Sequence, residues 1–160
     1  MNFDLAFERL IGHEGAWVND PRDPGGETKY GISRRSYPGE MIRTMTLERA
    51  KEIYLRDYWG PAGCNAVPDA IKYDLFDMAV HSGVITAIKT LQRTVNVDDD
   101  GKLGPVTLQA VASMPALEGA LVVVLGLEAV GYEVVADEPF RIAIEEATGE
   151  RVAALRCLGE

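Results

Sequence analysis

Apolar side chains recur along this chain at helical spacing, in short stretches separated by turn residues. Phe3, Ala6, Phe7, Leu10 and Ile11 follow the i, i+3, i+4, i+7 rhythm of one buried stripe, with Asn2 placed to cap the first turn. The spacing predicts that this helix stops between Gly12 and Gly15, which leaves Glu14 at or just past its end. From Asn19 to Gly31 the helical rhythm is lost. Two Asp-Pro steps and the Gly25-Gly26 pair make this stretch turn-rich and able to form a short hairpin. A second helix is predicted from Thr46, with Leu47, Ala50, Ile53 and Tyr54 on its inner face. A third follows Pro68 through Ile71, Leu75, Met78 and Ala79 and breaks at Gly83; a fourth carries Ile85, Ile88, Leu91 and Val95. Asp98 to Gly104 reads as a turn, and Pro105 suits the first position of a fifth helix bearing Leu108 and Val111.

Past Pro115 the pattern weakens. Leu117 to Leu127 reads as a buried helix, Tyr132 to Val135 has strand propensity, and Phe140 to Leu158 is amphipathic although Gly149 interrupts it. Charge shifts at the same place. Residues 1–116 hold 13 basic and 16 acidic side chains, net −3, whereas 117–160 hold 3 and 9, net −6. The total of −9 argues against nucleic acid, whose binding needs lysines and arginines to neutralise phosphates. With 160 residues, 47% of them hydrophobic, the chain can bury a core of its own. Ala120 to Leu127, its most apolar run, is too short for a bilayer, so stable membrane insertion is not expected. No basic start followed by an apolar core marks a signal peptide, which predicts synthesis in the cytoplasm. Cys64 and Cys157 form no CxxC pair and read as free thiols.

The segment with chemical potential begins at His13-Glu14-Gly15-Ala16-Trp17. A Glu at the end of a buried helix, against a Trp, is partly desolvated; its neutral form is favoured and it suits a general acid. Asp23 follows on the turn-rich stretch and Thr28 five residues later. A loop folding back over the helix end would set them opposite Glu14, an acid on one side of a glycosidic bond and a water-activating base on the other. Taken alone, a Glu beside a Trp is more often an ordinary helix-end residue.

The stretch from Glu14 to Ile32 resembles the signature of the glycoside hydrolase family 108 N-acetylmuramidases of phage and prophage endolysins. That signature is a Glu-Gly-Gly motif followed by an Asp-Pro-x-Asp-x-Gly-Gly-x-Thr-x-x-Gly-Ile loop. The resemblance extends through Tyr58-Trp59, through Phe76 to Gly83 and Leu91-Gln92-Arg93, and into Asp100 to Leu108, about residues 1–116 in all. It implies a mainly α, lysozyme-like fold with a turn-rich, β-prone loop around residues 17–32. Residues 1–90 would form the catalytic region and 91–116 a peptidoglycan-binding-like lobe. Residues 117–160, which hold no Trp, would form a divergent segment packing on the core or pairing two copies of the chain as a homodimer. The implied activity is hydrolysis of the β-1,4 bond between N-acetylmuramic acid and N-acetylglucosamine in peptidoglycan, without metal or organic cofactor. Glu14 would be the acid, with Asp23 and Thr28 acting on water in the order also seen in T-even phage lysozymes. Inversion is the expected outcome. The site of action would be the wall or periplasm, reached after release or export. Ala16 stands where the family has its second Gly, and His81 where it usually has Asn.

Tyr30, Tyr58 and Trp59 are candidates for stacking on sugars, and His81 and Ser82 for hydrogen bonds to N-acetyl or hydroxyl groups. Tyr54, on the helix stripe, reads as core. Lys29, Arg34 and Arg35 either meet stem-peptide or lactyl carboxylates or form a solvated face. A metal site is not expected, because His13 and His81 are the only histidines and neither has ligand-spaced partners. Asn96, Asp98, Asp100 and Gly101 begin like a calcium loop, but Thr107 stands where the closing Glu belongs. Two other activities compete: a non-catalytic wall-binding or secretion-accessory protein with a muramidase shape, and a lytic transglycosylase, which needs one Glu and no water.

Overall fold

A computed structural model describes residues 1–12, 17–19 and 26–113. The expectations for residues 117–160, including the two helices, the strand and the dimer contact, lie outside the described residues, as do Glu14 and Asp23. What is described is mainly helical: α1 (Phe3–Ile11), a hairpin of β1 (Thr28–Lys29) and β2 (Ile32–Ser33), α2 (Leu47–Tyr54), α3 (Lys72–Ser82), α4 (Val84–Thr94) and α5 (Pro105–Ala112). Short 3-10 turns at Ile42–Thr44, Cys64–Ala66 and Asp69–Ile71 link them. No helix among the described residues is long and apolar enough to cross a membrane.

The helix ends follow local chemistry. Asn2 Oδ1 accepts from the Leu5 N–H, and Thr46 Oγ1 accepts from the Arg49 N–H, each satisfying a first-turn donor that has no partner within its helix. Gly12 ends α1 at φ 55°, its N–H bonded back to the Glu8 carbonyl. Pro105 opens α5, where its missing N–H costs nothing.

α2 widens into a π turn at Leu55–Trp59, where the Gly60 N–H reaches the Leu55 carbonyl. In this wider turn residues five apart share a face, so Trp59 turns to the same inner side as Tyr54 and into the core. The indole is 1% exposed, meets Phe3 and Phe76 at 5.6 and 5.4 Å in edge-on geometry, and donates its N–H to Asn65 Oδ1 at 2.9 Å. Trp59 is thus core rather than a sugar platform, a correction to its sequence reading. Phe7 and Phe76 complete the cluster against Tyr54. Each buried ring contributes roughly 2–3 kcal/mol through lost contact with water. Cys64, a free thiol with no exposed surface, sits in the same core.

On α4 the inner stripe is Ala87, Ile88 and Leu91, with Val84 half-buried, while Ile85 is exposed. The stripe therefore begins one residue earlier than the sequence suggests. Gln92, 1% exposed, ties α4 to the acidic turn that leads into α5. The two hydrogens of its Nε2 are shared among Asp100 Oδ1, the Lys102 carbonyl and Thr107 Oγ1 at 2.8, 3.0 and 3.2 Å, and its Oε1 accepts the Gly101 N–H at 2.8 Å. Asp100 Oδ1 also accepts the Lys102 N–H. This turn is thus organised by a side-chain amide, and α4 itself spans the expected boundary at residues 90 and 91.

Candidate active site

β1 and β2 pair antiparallel with Thr28 opposite Ser33 and Lys29 opposite Ile32, leaving Tyr30-Gly31 as a two-residue turn. Both turn residues have positive φ, 51° and 74°, the backbone of the tight turn that matches strand twist. A non-glycine residue such as Tyr30 adopts this conformation at a cost, and α2 helps hold it there. The Tyr54 hydroxyl donates to the Tyr30 carbonyl at 3.0 Å and lies 2.5 Å from where a Cβ on Gly31 would stand. Glycine is required at position 31 for both reasons.

Thr28 is the middle member of a ribbon of three segments. Its N–H and C=O exchange hydrogen bonds with Val18 at 2.9 and 2.8 Å, while β2 pairs on its other side. Its hydroxyl donates to the Gly26 carbonyl at 3.4 Å. The ribbon therefore fixes the chain on both flanks of residues 20–25, where Asp23 lies. Glu14 follows the Gly12 stop of α1 by two residues and precedes the ribbon.

Among the aromatic candidates, Tyr30 and Tyr58 are half-buried and both meet Tyr54, Tyr30 through its carbonyl and Tyr58 through its ring at 5.5 Å. Tyr54 itself is core. Tyr37, which the sequence reading missed, extends this group: its hydroxyl donates to Asp57 Oδ2 at 3.0 Å and lies 3.4 Å from the Tyr58 hydroxyl. An aromatic in a Pro-Gly loop has no periodicity to flag it. Burial, the Tyr58 hydrogen bond and the nearby Asp57 carboxylate push the Tyr37 phenol well above its ordinary range. Burial pushes Tyr54 up to about 12. Both phenols stay protonated at neutral pH and keep a hydrogen to donate. Asp57 is held below the usual carboxylate range, first by its hydrogen bond with Arg56.

His81 and Ser82 occupy the last turn of α3. His81 is exposed, with Nδ1 2.9 Å from the Asp77 carbonyl oxygen and 3.6 Å from the Asp77 carboxylate. With Nδ1–H donating to that carbonyl, Nε2 is free to accept from a hydroxyl or amide. Lys29 lies 5.2 Å from the centre of the Tyr30 ring, and Arg34 is paired with Glu27.

The family profile of glycosyl hydrolase 108 matches residues 7–83, which include Glu14, Asp23, Thr28, Tyr30, Tyr58, His81 and Ser82. The solved structure of SagA from Brucella abortus is similar to this chain at 32% identity, with 80% of this chain and 78% of that one covered and a TM-score of 0.70. A comparison with curated proteins gives no match. Identity at that level over most of both chains shows kinship as well as shape. The chain belongs to the glycosyl hydrolase 108 family and is a mainly α, lysozyme-like glycoside hydrolase that acts on peptidoglycan.

Proposed function

We propose that the enzyme hydrolyses the β-1,4 bond between N-acetylmuramic acid and N-acetylglucosamine, in the manner of an endolysin. Glu14 protonates the leaving oxygen, Asp23 takes a proton from the attacking water, and Thr28 positions that water, with inversion at the anomeric carbon. Tyr30, Tyr58, His81 and Ser82 line the sugar path, and residues 91–116 add a wall-binding lobe. The observation that carries this reading is the place of Thr28 in the middle of the ribbon, hydrogen-bonded to Val18 and in register with Ser33, within the span matched by the family profile. A threonine hydroxyl serves to position water when its backbone does not move, and a ribbon paired on both sides meets that need.

The test is Glu14→Gln on outer-membrane-permeabilised Gram-negative cells. Glutamine keeps the shape but has no proton to give, so clearing drops by at least about a hundredfold while the fold survives. Full activity in a folded variant would remove Glu14 from the mechanism. Asp23→Asn is expected to cripple turnover and leave binding to insoluble peptidoglycan nearly intact. Mass spectrometry of released fragments shows reducing muramic ends for hydrolysis; anhydromuramic ends would make the enzyme a transglycosylase instead.

A further inference from the structure

Trp17 stands next to Val18, the outer member of the ribbon, with its indole 38% exposed. β1 packs against the 3-10 turn Ile42–Thr44, and this brings the Arg43 guanidinium to 5.2 Å from the Trp17 ring centre. Arg43 is exposed and makes no ion pair among the described residues. Among the described residues, Glu27 and Glu40, the acidic residues between 26 and 47, are committed to Arg34 and Arg49. At this distance the indole attracts the guanidinium through its π face and leaves the N–H fork to a carboxylate, since no carboxylate among the described residues occupies it.

We propose that Trp17 and Arg43 form a carboxylate-reading sugar subsite, in which the indole supports a sugar ring and Arg43 binds a carboxylate carried by the glycan strand. The proposal rests on peptidoglycan being the substrate. The carboxylate has two sources: the stem peptide, or the lactyl group of muramic acid where that peptide has been removed. Arginine pairs with either in the same bidentate way.

Binding is measured on the full chain carrying Glu14→Gln, so that no strand is cut. The ligands are untreated insoluble peptidoglycan, the same material with its carboxylates converted to amides, and glycan strands stripped of peptides. Adding Arg43→Ala is expected to weaken binding to untreated material by about tenfold and to leave binding to amidated material unchanged. Arg43→Lys, which keeps charge but loses the fork, falls between. Trp17→Phe retains most of the affinity, whereas Trp17→Ala weakens binding to untreated and amidated material alike. Lys89→Ala, which removes a cation on α4, changes nothing. A loss restricted to peptide-bearing material assigns the carboxylate to the stem; a loss on stripped strands assigns it to the lactyl group. Equal losses for Arg43→Ala on untreated and amidated material, or no loss at all, would overturn the subsite. If the Glu14→Gln chain binds no peptidoglycan and the unaltered chain cuts none, the substrate assignment falls and the subsite with it. If that chain binds and the unaltered one cuts while Arg43→Ala is silent, the subsite alone falls.

Discussion

Asp74 shows how one half-buried side chain sets a pH dependence. Burial raises its carboxyl to about 6, against the pull of Arg9 and with the help of neighbouring Asp77. A native carboxyl that holds its proton more tightly than the unfolded chain costs stability once it must ionise. The cost is absent below about pH 4, grows between 4 and 6, and is complete above 6. Asp74→Asn is expected to stabilise the protein by about 1–2 kcal/mol at pH 7.5 and by nothing at pH 3.5, measured by urea denaturation. A gain that persisted at low pH would point to packing rather than ionisation. At this scale the sequence was uneven in what it disclosed. The cap at Asn2, the helix start at Thr46 and a stop between Gly12 and Gly15 were legible, because each is decided by atoms within four residues. Trp59 was not, because a π turn five residues long decides which way it faces. Tyr37 was silent for a related reason: its partners, Asp57 and Tyr58, lie 20 and 21 residues away.

Among the elements, the hairpin and α2 form one mechanical unit through Tyr54. Gly31→Ala would place a methyl 2.5 Å from the Tyr54 hydroxyl at a φ of 74°, so it is expected to cost about 2–3 kcal/mol. Tyr54→Phe removes the hydroxyl and its bond to the Tyr30 carbonyl, costing about 1 kcal/mol. Once Tyr54→Phe has removed the clash, adding Gly31→Ala should cost only the roughly 1 kcal/mol of its backbone strain. A double-mutant cycle by chemical denaturation reads the difference, and strict additivity would show that the hydroxyl does not hold the turn. The turn-rich stretch was recognisable as a possible hairpin from Asp, Pro and Gly alone. Its anchoring was not, since that depends on a tyrosine two dozen residues downstream. On α4, Val84 and Ile85 are both apolar, and only the packing against α3 determines which of the two turns inward.

At the scale of the whole molecule, the Gln92 knot joins the helical core to the segment expected to grip the wall. Gln92→Leu would strand the Gly101 N–H, the Lys102 carbonyl and Thr107 Oγ1. A loss of about 2–4 kcal/mol is expected, read from the urea midpoint. Because α4 carries the knot, unfolding should remain a single transition in the parent protein; two transitions would mark residues 91–116 as an independent unit. The buried thiol of Cys64 offers a view of the same event in time. Burial pushes it up to about 12, so it is protonated and sheltered from any reagent in the folded protein. In a Cys157→Ser variant every modification of Cys64 must wait for the core to open. The rate of labelling by a fast thiol reagent then becomes a stopwatch for opening, which can be run in dilute buffer without denaturant.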